Sequence, residues 1–104
     1  MAKFLLVIPS SALPGRDQQY NDWYDNEHLA DVLKISGIVS GRRYNALPQS
    51  PAPAPAKHLS IFEIETADPM AVLGELHRRI QAGEMAMTAD IDPSSVQMWL
   101  YEQR

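Results

Sequence analysis

Three predicted strands of this 104-residue chain carry apolar side chains on both of their faces, and this restricts the folds open to it. The strands are expected at residues 3–8, 58–65 and 95–102. In each of them both alternating sets of side chains are largely apolar, which is typical of strands in a sheet that is covered on both sides. The sheet therefore needs a covering layer on each face.

Two helices are available to form one of these layers. The first is predicted at residues 17–34, with Asp17 as its N-cap and a stop near Ser36-Gly37. The second begins at Asp68-Pro69, a capping residue followed by proline, and ends at Gly83. Residues 10–15 and 84–93 are expected to be irregular.

A weaker strand at residues 38–47 completes the order strand–helix–strand, which then repeats. Two such units form the ferredoxin-like βαββαβ plait, an α+β fold with a four-stranded antiparallel sheet and both helices on one face. The length suits a single domain, residues 1–104. Prolines alternate with small residues at positions 48–57, which favours an exposed loop between two strands.

The second face of the sheet requires another cover, because two helices reach only one side. A second copy of the chain is the simplest cover, so we expect a homodimer joined sheet to sheet.

Composition excludes several classes of function. The net charge of −4 argues against a nucleic-acid partner. The absence of cysteine excludes disulfides, thiolate zinc sites and cysteine nucleophiles, and three scattered histidines offer no metal-ligand spacing, so no metal is expected. The apolar run at residues 4–8 is too short for a membrane span or a signal-peptide core, so the cytoplasm is the expected location.

The segment at residues 20–33 concentrates the side chains that can carry chemistry. At about 100° per residue, one ridge of the first helix holds two phenols and an imidazole, with a carboxylate beside it. A ridge of this kind suggests a lined cavity as readily as a dry core. Its members are Tyr20, Tyr24, His28, Val32 and Ile35, flanked by Asp31.

This segment, followed by Ile35-Ser36-Gly37-Ile38 and Arg43-Tyr44, resembles the EthD-like family of the dimeric α+β barrel superfamily. The chain departs from the family pattern at Ser36, where proline is usual, and in its proline-rich loop. The resemblance implies a pocket between the sheet and the helices of each subunit, with His28 projecting into it. It leaves the reaction open, because the superfamily includes isomerases, polyketide cyclases, cofactor-free monooxygenases, decarboxylase-like enzymes, haem proteins and members with no assigned activity.

His28 is the candidate general acid or base, because imidazole titrates near neutrality. Tyr24 and Asp31 lie within helical reach and are its candidate catalytic partners. The alternative is a packed histidine satisfied by a backbone carbonyl. Asp31 either fixes the tautomer and raises the pKa of His28, or is an exposed charge.

The remaining candidates are substrate-binding residues. Tyr20 shares the ridge of His28, whereas Trp23 lies about 60° behind it, which makes Tyr20 the better pocket candidate. Arg43 and Tyr44 alternate faces, so only one of them faces the helices. An inward arginine needs an anion, either Asp31 or a substrate carboxylate, and the alternative places its charged head at the rim.

Further along the chain, Phe62 and Trp99 are expected to line either the pocket or the dimer seam. His58 and His77 are expected at the surface.

These observations predict a cytoplasmic homodimeric enzyme that needs no cofactor and moves protons on a small aromatic or polyketide-like carbonyl compound. Isomerisation, cyclisation, dehydration and decarboxylation fit this equipment. Two alternatives stay open: a haem-binding protein with His28 as axial ligand, and a non-catalytic small-molecule-binding accessory dimer.

Overall fold

A computed structural model describes residues 1–104, which form one antiparallel sheet with helices on one side. The strands are β1 (Ala2–Ala12), β2 (Ile38–Asn45), β3 (His58–Thr66), β4 (Ile91–Asp92) and β5 (Trp99–Glu102). The first helix consists of three consecutive pieces, α1 (Asp17–Trp23), a π-helical turn (Tyr24–His28) and α2 (Leu29–Leu33). The second helix is α3 (Pro69–Gln81).

The order of strands across the sheet is β2-β3-β1-β5, and every neighbouring pair is antiparallel. Leu6 at the centre of β1 lies between Phe62 on β3 and Leu100 on β5. This is the predicted ferredoxin-like α+β plait. The short β4 is an addition to the predicted four strands and pairs with Ser11 and Ala12 at the end of β1.

β1 is longer than its sequence predicted, because Pro9 does not end it. β5 pairs only with residues Phe4–Val7, so Pro9 has a neighbouring strand on one side alone. On the other side its carbonyl accepts from the amide of Gln97 at 3.2 Å. A proline at such a position removes no hydrogen bond from a second ladder, so the strand continues through Ala12. Ser10, expected in a loop, is consequently part of the sheet.

Two predicted helix boundaries have different outcomes. Asp68 caps α3 as expected, since its side chain accepts from the amide of Ala71 at 3.2 Å. Asp17 does not cap the first helix: it is the first helical residue, and the carboxylate contacts Lys57 at 3.1 Å instead.

The predicted last strand is also shortened. A 3₁₀ turn at Pro93–Ser95 precedes it, and pairing with β1 begins only at Trp99.

The core lies between the sheet and the helices. Leu6, Phe62 and Ile64 on the sheet pack against Val32 of α2 and Leu76 of α3, and all five are buried. The opposite face of the sheet carries exposed apolar side chains, among them those of Leu5, Trp99 and Tyr101. No helix of the fold has the length and apolar character needed to cross a membrane.

Candidate active site

A cavity of about 330 Å³ lies between the first helix, α3 and the segment that leads to β5. Ten of its thirteen lining residues are hydrophobic, and none carries an acidic group or a lysine or arginine side chain. Its polar side chains come from two elements: Ser10 from β1, and Tyr24 and His28 from the π-helical turn. The other lining residues are Ile8, Trp23, Val32, Leu76, Ile80, Met87, Ile91, Pro93, Val96 and Met98.

The π-helical turn determines which side chains of the first helix reach this cavity. The amide of Leu29 donates to the carbonyl of Tyr24, five residues earlier instead of four. The wider turn brings residues five apart onto one another, so the imidazole of His28 stacks on the indole of Trp23 with centroids 4.5 Å apart and planes inclined by 21°. Tyr24 meets the same imidazole edge-on at 4.9 Å.

This turn corrects the ridge that uniform helical spacing predicted. Trp23, placed behind the ridge, lines the cavity beside His28. Tyr20, the preferred pocket candidate, is fully buried in the core and is not a lining residue. π-Helical turns are rare in proteins, and many of those that occur lie at functional sites. This segment is therefore the leading candidate for the chemistry of the site.

The environment of His28 keeps its imidazole neutral. Burial lowers its pKa to about 4, and the negative charge of Asp31 opposes this shift without overcoming it. Nδ1 is buried and has no hydrogen-bond partner, so the alternative of a ring that donates to a backbone carbonyl is not realised at this atom. Asp31 forms no hydrogen bond to the ring and pairs with Lys34 at 3.3 Å.

Tyr24 supplies a neutral phenol to the same cavity. Burial raises its pKa to about 12, so the hydroxyl keeps its proton across the physiological range and can act as a hydrogen-bond donor. The guanidinium carbon of Arg43 lies 4.6 Å from the centre of its ring. A cation at this distance over an aromatic face is attracted by the ring and holds it in place.

Arg43, and not its neighbour Tyr44, is the residue that faces the helices. Its side chain is mostly buried and does not extend to the rim. Its anionic partner is Asp25, at 2.9 Å, instead of the expected Asp31. A second bond, also of 2.9 Å, runs to the amide oxygen of Asn21. Tyr44 points to the opposite face, beside the proline-rich loop.

Two other predicted binding residues lie outside the cavity. Phe62 is fully buried in the core, where its ring lies against Gly41. Trp99 lies on the outer face of the sheet, opposite Val7, and is partly exposed. Trp99 therefore lies on the face of the sheet where the dimer interface was predicted.

His58 contradicts its predicted position at the surface, whereas His77 is exposed as expected. The imidazole of His58 is buried, lies 2.9 Å from an Asp17 oxygen and 3.2 Å from Asn45 Oδ1, and stacks on Tyr20. The alternation of β3 carried the signal for this position. His58 lies four residues before buried Phe62, and hence on the same face of the strand.

Two further contributors to the site were missed. Ser10 was placed in a loop, although it continues the alternation of buried Leu6 and Ile8. The segment after α3 was expected to be irregular, and it forms one wall of the cavity. The indole of Trp23 donates to the carbonyl of Ala86 at 2.7 Å and thereby ties this wall to the first helix.

No group of three or more histidine, aspartate or glutamate side chains is arranged to hold a metal ion. Neither a family model nor a curated protein matches this sequence.

Three solved structures resemble this fold over nearly its whole length. A candidate monooxygenase from Shewanella loihica PV-4 has a TM-score of 0.65 and 13% identity, covering 97% of this chain and 94% of its own. An ethyl tert-butyl ether D (EthD) family protein from Bacillus halodurans C-125 has a TM-score of 0.65 and 15% identity, with both chains fully covered. HapK from Hahella chejuensis has a TM-score of 0.57 and 16% identity, covering all of this chain and 93% of its own. The chain thus has the ferredoxin-like fold shared by an EthD-family protein and a candidate monooxygenase.

Proposed function

We propose that this chain is an EthD-like enzyme that transfers protons on a small aromatic or polyketide-like carbonyl compound without a cofactor. The observation that carries the proposal is the buried His28 imidazole with its unpartnered Nδ1, held by the π-helical turn against an apolar cavity. A cavity of about 330 Å³ lies at the lower end of the range for small-molecule sites. Its apolar walls and few polar groups suit a compact aromatic ligand.

The chemistry follows from two groups that are both neutral at pH 7. His28 takes a proton from the carbon beside the ligand's carbonyl group, and Tyr24 donates a hydrogen bond to the carbonyl oxygen, where negative charge develops. The resulting enolate lies beside the imidazolium, and this attraction offsets the low basicity that burial gives His28. Asp31 adds a field that also favours the imidazolium. Return of the proton to another carbon completes an isomerisation, and departure of a β-hydroxyl group, which takes the proton from the imidazolium and leaves as water, completes a dehydration. Attack of the enolate on a second carbonyl carbon of the same ligand, whose oxygen takes the proton, completes a cyclisation. In a decarboxylation the enolate forms instead as the bond to a β-keto carboxylate breaks and CO₂ leaves, and the enolate carbon then takes up a proton.

Haem fits this cavity poorly. A haem has two propionates that need cationic or hydrogen-bonding partners, and no lysine or arginine lines the cavity. The volume is also small for a macrocycle.

The outer face of the sheet supports a homodimer in this proposal. The exposed apolar side chains of Leu5, Tyr44, Trp99 and Tyr101 lie on the face that the helices cannot reach, which also carries the ion pairs Lys3–Glu65 and Arg42–Glu63. Exposed apolar patches of this kind mark association surfaces, and a second copy placed sheet to sheet would bury them. The enzyme is proposed to act in the cytoplasm, with no nucleic-acid or membrane partner.

Deuterium exchange tests the proton-transfer step directly. The protein is incubated with 2-tetralone in D₂O, and the loss of the proton signal beside the carbonyl group is followed by NMR. We expect the wild-type chain to accelerate exchange, His28→Gln to lose the acceleration, and the exposed-residue control His77→Gln to keep it. Exchange by His28→Gln at the wild-type rate would overturn the proposal. Binding of the ketone without any acceleration would instead support the non-catalytic carrier.

A further inference from the structure

Ser10 occupies a special place in the cavity. It lies on β1, on the face that meets the helices, and its side chain lines the cavity although the residue is only 2% exposed. Only Tyr24 and His28 share its polar character among the lining side chains. A hydroxyl in an otherwise apolar wall fixes the orientation of a ligand more strongly than the surrounding contacts do.

The hydroxyl of Ser10 has a hydrogen-bond partner behind the cavity wall, the phenol of Tyr20. Tyr20 is fully buried, and burial raises its pKa, so the phenol keeps its proton. A phenol is a stronger acid than an aliphatic alcohol and is therefore the better donor of the two. The guanidinium of Arg43, 5.3 Å from the ring centre, increases this acidity because its positive charge favours loss of the phenolic proton.

The direction of this bond determines what Ser10 can offer to a ligand. When Tyr20 donates, the oxygen of Ser10 accepts, and the remaining hydrogen of Ser10 is free. Tyr20 is the only hydrogen-bond partner of the Ser10 hydroxyl within the protein, and the Ser10 side chain lines the cavity, so the free hydrogen can be directed into it. An acceptor oxygen in the ligand would complete a chain of hydrogen bonds that runs from Tyr20 through Ser10 into the cavity.

We infer that Ser10 determines specificity, selecting ligands that present a carbonyl oxygen over apolar ligands of the same shape, with Tyr20 as its positioning residue. The inference rests on the proposed function, since it assumes that a small aromatic carbonyl compound occupies the cavity. It adds a recognition element on the sheet, separate from the proton-transfer groups on the first helix.

Two isosteric probes test this selection. Acetophenone carries a carbonyl group where α-methylstyrene carries a carbon–carbon double bond, and the two molecules are otherwise alike. Dissociation constants for both are measured by titration, using tryptophan fluorescence and amide chemical shifts. The ratio of the two constants isolates the contribution of the oxygen from that of the apolar ring.

We expect Ser10→Ala to reduce the preference for acetophenone by about three- to tenfold, the value of one hydrogen bond, while α-methylstyrene binds as before. Tyr20→Phe should reduce the preference by less, and should have no effect in a chain that already carries Ser10→Ala. Ser10→Cys keeps a side chain of similar volume with a weaker donor. It should reduce the preference for acetophenone as well, and it takes the place of Ser10→Ala in the test if Ser10→Ala folds poorly. The control Ser40→Ala removes a buried, unpartnered hydroxyl outside the cavity and should leave the ratio unchanged.

An unchanged ratio in both Ser10 variants would overturn the inference while leaving the proposed function intact. Failure of acetophenone to bind the wild-type chain would overturn both, whereas binding of acetophenone without binding of α-methylstyrene would support the inference. A Tyr20→Phe effect that persists in the Ser10→Ala chain would show that Tyr20 acts through packing alone and would refute its positioning role.

Discussion

Acidification should destabilise this protein through His28. The pKa of the imidazole is about 4 in the folded chain because burial disfavours its charged form, whereas an unfolded histidine titrates near 6.5. As the pH falls below 6.5, the unfolded chain binds the proton first, so the free energy of unfolding decreases. The loss continues down to the folded pKa and then levels off.

The size of the effect follows from the two pKa values. The contribution lost relative to neutral pH is about 2 kcal/mol at pH 5 and about 3 kcal/mol at pH 4. His28→Gln removes the titrating group and should therefore lose less stability over the same range. Denaturant unfolding of both chains from pH 7 to pH 4, at one fixed protein concentration, gives the difference.

The exposed His77→Gln variant is the matched control and should follow the wild-type chain at every pH. NMR of the imidazole carbon-bound protons offers a direct second measurement of His28. Parallel stability curves for wild type and His28→Gln, or a His28 titration near 6.5 in the folded protein, would refute the reasoning from burial.

Three further outcomes follow from the packing. Gly41→Ala should lower the free energy of unfolding by about 1–3 kcal/mol, because a Cβ there would lie 2.7 Å from the ring of Phe62. Gly74→Ala, on the open face of α3, should raise the free energy of unfolding by about 0.5–1 kcal/mol. Denaturant unfolding of the two variants would contradict this if both shifted in the same direction. Deletion of exposed Asn26 should restore regular α-helical spacing and keep the fold, with the melting temperature within about 5 °C. It should leave the indole beside the imidazole, because the two residues are then four apart and neighbours in an α-helix; loss of the ring-current shifts of the imidazole protons would contradict this. Arg43→Lys should cost about 1–2 kcal/mol in thermal melts because one ammonium cannot replace the two bonds of the guanidinium, and an unchanged melt would argue against them.

Much of the fold could be predicted from residue patterns. The apolar alternation of β1 and β3, and the Asp68-Pro69 start of α3, are local signals that the structure confirms. The predicted length of β1 was too short, because the effect of Pro9 on the strand depends on which strands lie beside it. That arrangement is a property of the assembled sheet and not of the residues around the proline.

The candidate site was predicted less completely. His28 and Tyr24 do line a cavity, but their neighbours were misplaced because a helix of constant pitch was assumed. The π-helical turn displaces every later residue around the axis and exchanges the roles of Trp23 and Tyr20. The pairing of Arg43 with Asp25 depends on a contact between distant segments, which local spacing does not contain, whereas the burial of His58 was already indicated by the alternation of β3.

The π-helical turn also limits how this site can be reused. An isolated peptide with this sequence would favour ordinary α-helical bonds, since wide turns persist only where surrounding contacts hold them. The indole–imidazole pair would then separate around the helix axis. Transplanting residues 20–33 into another scaffold would therefore carry over the chemical groups without their arrangement, unless the sheet and the segment bonded to Trp23 were transferred as well.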